Sequence, residues 1–244
     1  MKDLFSQHSF GYKQARPHYS IQIIEEILKY VPEFGFAWDC GAGSGQLTQL
    51  LAPYFDHVVA TDISAAQLQH APYFENVSYQ LQPAEQTSIP TQSIDLVTVA
   101  QAIHWFNFDA FYAEVKRVLK PHGVIAVIGY GLIQVQQVEV HDLIEQLYAE
   151  TLNGYWEPER CYIDEQYQTI SFPFHEYPVP QLSLNYSWTA QQLLAYLKTW
   201  SALQHYQTIH SDDPLQHLAQ ALTDAPERFS VTFPIWLRIG TVLA

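Results

Sequence analysis

The sequence predicts an α/β fold with a doubly wound, mostly parallel sheet of seven strands. Short apolar runs alternate with segments of helical period through about the first 130 residues. A glycine-rich loop follows the first of these runs, and two strand-like segments lie near the end of the chain. Neighbouring parallel strands need a crossover between them, which is usually a helix. Since 48% of the 244 residues are apolar, the chain can form a substantial buried core, and we expect one domain.

Five strands make up the parallel part of the predicted sheet, and we expect them at 36–41, 57–62, 77–81, 94–100 and 124–128. Helical periodicity indicates helices between them at 46–54, 65–70 and 108–119. The last of these helices is expected to end at Lys120-Pro121-His122-Gly123, because proline and glycine interrupt a helix. The apolar character of the strands predicts that helices cover both faces of the sheet.

The alternation of strand and helix changes after Gly131. Helices are predicted at 135–152, 190–206 and 214–223, with an irregular polar and aromatic stretch at 153–167. Segments 176–188 and 230–243 alternate between apolar and polar residues, as strands do, and we expect them to form a terminal antiparallel pair.

The charge balance argues against nucleic acid and membrane partners. The chain has 25 acidic and 11 basic residues, and its formal net charge of −14 repels a phosphate backbone and an anionic membrane surface. No leader segment or membrane-spanning stretch is indicated, so we expect a cytoplasmic protein. Aromatic residues, 14% of the chain, concentrate in its second half and suggest a small-molecule pocket. No metal site is expected, since the histidines are scattered and Cys40 and Cys161 lack metal-ligand spacing.

A glycine-rich loop, Asp39-Cys40-Gly41-Ala42-Gly43-Ser44-Gly45, follows the first predicted strand. Glycines there let the backbone turn sharply and approach a ligand closely. The spacing is GxGxG, whereas a dinucleotide fingerprint would be GxGxxG, with a helix N-terminus aimed at a pyrophosphate. A carboxylate at Asp39 would repel a pyrophosphate but suits the positively charged end of a methionine-bearing nucleoside. The loop therefore favours a sulfonium cofactor over a nicotinamide one.

Asp62 ends the second predicted strand. A carboxylate at this place after a glycine-rich loop can accept hydrogen bonds from both hydroxyls of a ribose, with Ile63 against the adenine. Capping of the helix that follows is the alternative role for Asp62. The position supports an adenosine ligand without distinguishing between cofactors.

Further motifs accompany the loop: Tyr12-Lys13-Gln14-Ala15-Arg16-Pro17-His18-Tyr19, Ala84-Glu85, Gln101-Ala102-Ile103-His104-Trp105-Phe106, Arg117-Val118-Leu119-Lys120-Pro121-His122-Gly123, Trp156-Glu157-Pro158-Glu159-Arg160 and Thr199-Trp200-Ser201-Ala202-Leu203. With these motifs most of the sequence resembles the class I S-adenosylmethionine-dependent methyltransferases with a methyltransferase type 11 domain. Within them it is similar to the branch typified by trans-aconitate methyltransferase. Pro121-His122-Gly123 departs from the family's usual proline-glycine-glycine turn.

The resemblance implies a Rossmann-like fold and divides the expected single domain, 1–244, into five parts. These are an N-terminal helical cap, a cofactor-binding core, two insertions on the substrate side, and two terminal antiparallel strands. Their expected bounds are 1–35 for the cap, 36–131 for the core, 132–175 and 187–228 for the insertions, and 176–186 and 229–243 for the strands.

The resemblance also implies S-adenosylmethionine as cofactor and S-adenosylhomocysteine as product. The glycine loop would pass under the methionine part, whose amino end Asp39 would orient directly or through water. Arg16 would pair with the cofactor carboxylate, although a surface salt bridge is its alternative role. Ala84 and Glu85 would border the adenine amino group. The implied cofactor-binding residues are Tyr12, Arg16, Asp39, Gly41, Ala42, Gly43, Asp62, Ile63, Ala84, Glu85 and Gln101.

His104 and Trp105 follow the fourth predicted strand, at the edge of the sheet where α/β folds place reactive groups. His104 is the candidate catalytic residue, because a histidine can act as general base for a hydroxyl, amine or acidic carbon. A carboxylate acceptor needs no base, and His104 would then only shape the pocket or donate a hydrogen bond. Both roles of His104 remain open at this point. Trp105 is expected to form a wall of the substrate pocket.

The acceptor is expected to be a small molecule, with a carboxylate suggested by the branch that the sequence resembles. A guanidinium matches a carboxylate with two hydrogen bonds, and Arg160 is the first candidate, with Arg228 and Arg238 as alternatives. Arg238, in the last predicted strand, suits a structural ion pair better. A hydrophobic acceptor would use the same aromatic residues, and the expected substrate-binding set is Trp105, Tyr155, Trp156, Arg160 and Trp200.

Two other functions compete with methyl transfer. A nicotinamide-dependent oxidoreductase would need GxGxxG and a tyrosine–lysine pair after the fourth strand, for which only Tyr112 and Lys116 qualify, on an outer helix. A non-catalytic S-adenosylmethionine-binding module would serve a partner protein. The intact glycine loop together with His104 and Trp105 argues against loss of the reaction site.

Overall fold

A nine-stranded sheet organises residues 15–242, the part of the chain that the computed structural model describes, apart from the side chain of residue 224. Its strands are β1 (Phe36–Cys40), β2 (His57–Asp62), β3 (Val77–Leu81), β4 (Ile94–Ala100), β5 (Leu119–Tyr130), β6 (Gln134–Val135), β7 (His175–Tyr177), β8 (Leu182–Trp188) and β9 (Phe229–Thr241). The α-helices are α1 (Ile21–Leu28), α2 (Thr48–Leu51), α3 (Ala65–Leu68), α4 (Phe108–Val118), α5 (Val138–Gln146), α6 (Cys161–Asp164), α7 (Ala190–Leu197), α8 (Ser201–Ile209) and α9 (Gln216–Ala221). None of the described helices is long and apolar enough to span a bilayer.

The strand order is β3-β2-β1-β4-β5-β9-β6, with β7 and β8 also paired to β9. Strands β1 to β5 are parallel, and β9 is antiparallel to each strand beside it. The order reverses between β1 and β4, because the chain leaves β1 toward one side and later returns on the other. In doubly wound sheets ligands bind where the order reverses, at the carboxyl ends of the strands.

The predicted α/β class and mostly parallel sheet are confirmed, but the predicted number of seven strands is wrong. The stretch expected as one strand at 176–186 forms two, β7 and β8, which both pair with β9. Pro178 and Pro180 lie between them. Proline cannot donate a ladder hydrogen bond, so pairing stops at Tyr177 and resumes at Leu182. The short strand β6 was not predicted at all.

The helix predicted at 190–206 is also wrong, because the chain forms α7 and α8 with a break between them. At the break the Thr199 hydroxyl donates to the Tyr196 carbonyl oxygen at 2.6 Å, which competes with continuation of the helix. Trp200 has an extended backbone, with φ −69° and ψ 127°, and precedes α8. Its side chain is only 4% exposed, so the break between the two helices directs the Trp200 ring toward the core.

Helices and loops cover both faces of the sheet, as its apolar strands predicted. Along β4 and β5 successive side chains alternate between two buried clusters. Leu96 belongs to the cluster that also contains residues of α1, α5 and α7, whereas Val97 belongs to the cluster with residues of α4 and α6. The sheet is therefore packed between two buried layers.

Candidate active site

The glycine-rich loop leaves β1 in a conformation that requires glycine. Gly41, Gly43 and Gly45 have φ values of +70°, +55° and +77°, which side chains other than glycine rarely adopt. A Cβ atom on Gly41 would lie 2.7 Å from Cβ of Ala102, just after β4. The N–H groups of Gly41 and Ala42 both donate to the Thr61 carbonyl oxygen, at 2.9 and 3.0 Å. The loop is thus fixed between the ends of β2 and β4.

Asp39 lies beneath this loop and is only 1% exposed. One carboxylate oxygen accepts a hydrogen bond from the Thr48 hydroxyl at 2.5 Å, and the other accepts one from the Thr98 hydroxyl at 3.0 Å. Burial raises the pKa of Asp39 to about 6, although both hydrogen bonds oppose the shift. The group is a buried carboxylate whose charge is partly compensated.

Asp62, the last residue of β2, connects the loop to the next turn. Its two carboxylate oxygens accept hydrogen bonds from the backbone N–H of Gly43 and of Ser64, both at 2.8 Å. A Cβ atom on Gly43 would meet nothing closer than the Gln67 side chain at 3.9 Å. The Asp62 carboxylate therefore borders open space at Gly43, which has no side chain. Ile63 follows it and is half-buried.

The ends of β4 and β5 are joined by Gln101, whose φ is +53°. Its side-chain oxygen accepts a hydrogen bond from the Tyr130 N–H at 2.8 Å. Arg16 reaches the same region and donates to the Tyr130 hydroxyl at 2.9 Å and to the Thr199 carbonyl oxygen at 3.0 Å. Arg16 thereby links the segment before α1 to β5 and to the break between α7 and α8.

His104 lies in a 3-10 turn after β4 and is 5% exposed. Its Nδ1 is 3.2 Å from the hydroxyl of Tyr167, and its ring is 4.8 Å from the ring of Trp105, between centroids. Burial, and secondarily the positive charge of nearby Arg160, lower the pKa of His104 to about 3. The imidazole is therefore neutral at physiological pH.

Arg160 lies in an aromatic cluster beside His104. Its guanidinium carbon is 5.3 Å from the ring centroid of Tyr148 and 5.1 Å from that of Trp156. Nε of Arg160 donates to the Tyr148 hydroxyl at 2.9 Å and lies 3.6 Å from an Asp164 oxygen. Trp200 packs against Trp156, with 5.4 Å between ring centroids. These contacts fix a cation between aromatic faces.

Known proteins resemble this chain over nearly its full length. Residues 38–127 match a family model described as a methyltransferase domain. A Dictyostelium discoideum protein that carries the name of a methyltransferase is 35% identical, over 96% of this chain and 93% of its own. A solved structure from Anaeromyxobacter dehalogenans, named as a type II methyltransferase, is 39% identical with a TM-score of 0.87, and covers 93% of this chain and 98% of its own.

The chain belongs to the methyltransferase family. A Saccharomyces cerevisiae protein named as an S-adenosylmethionine-dependent methyltransferase is 31% identical, over 61% of this chain and 50% of its own length. S-adenosylmethionine is the cofactor of the family, as the sequence predicted, and the nicotinamide alternative is wrong. The similarity to the trans-aconitate branch stays a prediction.

Most of the residues predicted for the methyltransferase site lie along one edge of the sheet. The glycine loop follows β1, Asp62 ends β2 and Gln101 follows β4, with His104 and Trp105 shortly after it. Ala84 is 3% exposed, and Glu85 accepts a hydrogen bond from the Asn107 N–H at 3.0 Å. Tyr12 lies outside the described residues.

The predicted substrate-binding residues separate into two groups. Trp156, Arg160 and Trp200 lie together in the aromatic cluster. Tyr155 instead contacts the α8 region, where its hydroxyl lies 2.6 Å from Nε2 of His210. Arg228 donates two hydrogen bonds to Ser187. Its Nε donates to the Ser187 hydroxyl at 3.2 Å, and another guanidinium nitrogen donates to the Ser187 carbonyl oxygen.

Arg238 forms an ion pair with Glu176, with two nitrogen–oxygen distances of 2.8 Å. This agrees with the structural role that the sequence favoured for Arg238.

Several residues of the site were not predicted. Tyr167, Tyr148 and Tyr130 belong to it through contacts with His104, Arg160 and Arg16. Of these, only Tyr130 has a sequence signal, since it ends a strand at the carboxyl edge. Tyr148 lies in the helix predicted at 135–152 and Tyr167 at the end of the irregular stretch 153–167, so neither is placed at the carboxyl edge by its position in the sequence.

Proposed function

We propose that this methyltransferase transfers a methyl group to the carboxylate of a small-molecule acceptor held by Arg160 beside His104. The observation that carries the proposal is the state of Arg160. Among the described residues, only its Nε has a hydrogen-bond partner, and its side chain is 19% exposed. The remaining donors of the guanidinium are available, and a forked pair of donors matches a carboxylate with two parallel hydrogen bonds.

The residues at the ends of β1 and β2 fit S-adenosylmethionine. Asp62 ends β2 with a carboxylate, the kind of group that accepts hydrogen bonds from ribose hydroxyls, and one of its oxygens already accepts the Gly43 N–H beside the open space. The open space at Gly43 admits a ligand close to the backbone. The carboxylate of Asp39 places negative charge under the part of the site expected for the ammonium and sulfonium groups. We propose that the other residues predicted to bind the cofactor also contact S-adenosylmethionine at this edge of the sheet.

The reaction needs little from the protein beyond position. When bound, S-adenosylmethionine would supply an electrophilic methyl group to the acceptor carboxylate oxygen, with the electron pair of the sulfur–carbon bond left on sulfur. The carboxylate anion and the sulfonium cation would become a neutral ester and a thioether, so no residue would need to take up a proton. The pocket contributes orientation and exclusion of water.

The electrostatics of His104 support an acceptor of this kind. A general base is most effective when its pKa lies near the working pH. Burial and Arg160 lower the pKa of His104 to about 3, so the imidazole is a poor proton acceptor for a hydroxyl or an amine. A carboxylate acceptor is already deprotonated, and its charge is opposite to that of Arg160.

The test is methyl transfer to a panel of di-, tri- and aromatic carboxylic acids, compared with phenols and amines of similar shape. We expect methyl esters from one class of acids only. Arg160→Met should raise the KM for that acid by about 100-fold, since a charged hydrogen-bonded contact contributes about 3 kcal/mol. It should leave the calorimetric Kd for S-adenosylmethionine within about twofold. NAD should not bind.

Arg228→Met is the matched control, because Arg228 hydrogen bonds to Ser187, on β8, away from the aromatic cluster. It should leave KM unchanged. Methylation of phenols or amines in preference to every acid, or an Arg160→Met enzyme with unchanged KM for the acid, would contradict the proposal.

A further inference from the structure

We infer that Tyr167 is a positioning residue that holds the His104 imidazole with its proton on Nε2, so that His104 meets the acceptor as a hydrogen-bond donor and not as a base. The part of this inference that concerns the acceptor rests on the proposed function. The part that concerns the tautomer rests on the protein alone.

The direction of the hydrogen bond between the two side chains follows from their surroundings. Tyr167 is fully buried, and burial raises the pKa of its hydroxyl well above the ordinary value, so the hydroxyl keeps its proton. Among the described residues, Nδ1 of His104 at 3.2 Å is the only acceptor within reach of that proton. Tyr167 therefore donates and Nδ1 accepts.

The tautomer follows from this direction. A neutral imidazole has one N–H and one unprotonated nitrogen. Since Nδ1 accepts the hydrogen bond, the single proton lies on Nε2. In the described part of the chain Nε2 has no hydrogen-bond partner, so its N–H remains available to a ligand. The positive charge of Arg160 is close enough to lower the pKa of His104, which makes the pair suited to an anionic oxygen.

The backbone around Tyr167 holds its hydroxyl in place. Gln166 and Tyr167 have φ values of +57° and +59°, a conformation that is unfavourable for such residues and persists only when the surroundings impose it. The Tyr167 N–H donates to the Tyr162 carbonyl oxygen at 2.7 Å. Arg238 donates to the Tyr167 carbonyl oxygen at 2.8 Å and is itself held by Glu176.

The ring of Tyr167 is fixed as well. It occupies space that opens because residue 129 is glycine: a Cβ atom there would lie 2.5 Å from Cε2 of the ring. The rings of Tyr167 and His104 are 6.1 Å apart between centroids, with 24° between their planes. Strand β5 on one side and the β7–β9 ladder on the other thus determine where the hydroxyl meets Nδ1.

The first test is long-range proton–nitrogen NMR of histidine-labelled protein, without cofactor or acceptor, with the His104 signals assigned from a His104→Gln variant. We expect a neutral ring with a protonated Nε2 and an unprotonated Nδ1 throughout pH 5.5 to 8.5. The groups that face this ring are Tyr167, Arg160 and Trp105. A proton on Nδ1, or a charged ring near pH 6, would overturn the inference whatever the acceptor proves to be.

The second test is the variant Tyr167→Phe, which keeps the ring beside Gly129 and removes only the donor. We expect both tautomers of His104 in its NMR spectrum and a kcat lower by about tenfold, with the Kd for S-adenosylmethionine unchanged. Tyr162→Phe is the matched control, because among the described residues the Tyr162 hydroxyl has no hydrogen-bond partner. If Tyr167→Phe retains the single Nε2 tautomer, Tyr167 does not set it, and the inference fails even if kcat falls.

Discussion

Asp39 illustrates at the scale of one residue how the methyltransferase holds a charge in its core. Its side chain is almost entirely buried, and the two threonine hydroxyls that donate to it compensate only part of the lost hydration. The negative charge of Asp62 adds to the upward shift of its pKa. Under the proposed function, a positively charged ligand above the loop would offset the remaining cost.

The pH dependence of stability should reveal this cost. Burial raises the Asp39 pKa from 3.8 to about 6, so between these values the folded protein keeps a proton that the unfolded chain releases. Unfolding therefore becomes easier as pH rises through this window, by about 3 kcal/mol, with no further change above it. Urea unfolding of the cofactor-free protein from pH 3.5 to 7 should show Asp39→Asn gaining stability relative to wild type across the window.

Thr98→Val is the control for this measurement, because it removes one hydrogen bond to the charged carboxylate and should extend the upper end of the window to higher pH. A difference between Asp39→Asn and wild type that does not vary with pH would contradict the assignment.

The sequence was sufficient to single out Asp39 but not its partners. Its spacing from the glycines marked it as a charged group at the site. Thr98, however, is 59 residues away and meets Asp39 because the register of β1 on β4 pairs the two positions. Register depends on how whole strands pack, and the composition of either strand alone does not determine it.

At the scale of elements, strand β9 controls the position of the turn at 165–170. Arg238, on β9, donates to the carbonyl oxygens of Tyr167 and Ile170 and pairs with Glu176 on β7. Its guanidinium carbon also lies 4.5 Å from the ring centroid of Phe172. One side chain thus connects two strands to an irregular segment.

Removal of this side chain should destabilise the fold. Arg238→Met leaves two carbonyl oxygens and the Glu176 carboxylate without their donor, and we expect a loss of about 3 kcal/mol in the free energy of unfolding. Urea denaturation at pH 7 measures it. The exposed Arg228→Met should cost less than about 0.5 kcal/mol. Equal losses in the two variants would mean that Arg238 is not a structural connector.

The elements that the sequence predicted well are those with a strong period. Strands β1 to β4 lie almost where they were expected, because each is an apolar run or alternates between apolar and polar residues. The predictions were wrong where a single local interaction determines where an element ends. The hydrogen bond of Thr199 interrupts a helix, and Pro178 and Pro180, which lack an N–H donor, divide a strand. Such local events carry little weight in a periodic pattern.

At the scale of the whole molecule, charge is the dominant property. The formal net charge of −14 belongs to a chain with 15% charged residues, so like charges repel one another over much of the surface. Screening by salt reduces repulsion between exposed charges that are farther apart than about 10 Å at 0.1 M. The folded state, which brings these charges together, suffers more from the repulsion than the extended chain does.

Salt should therefore stabilise this protein at neutral pH. Raising sodium chloride from 10 to 150 mM at pH 7 should increase the free energy of unfolding by about 1 kcal/mol, as measured by urea denaturation. Near pH 5.0, the isoelectric point, the same change should have almost no effect. A fall in stability with salt at pH 7 would indicate that favourable ion pairs outweigh the repulsion.

The pairing of β9 also has a consequence for synthesis of the chain on the ribosome. This strand follows every other described strand in sequence, yet it lies between β5 on one side and β7 and β8 on the other. Until residues 229–241 have been translated, the nascent chain has an open β5 edge, and the described strands β6, β7 and β8 have no neighbour. Open strand edges invite pairing with other chains. We therefore expect the chain to be most prone to pairing with other chains in the interval before β9 is made.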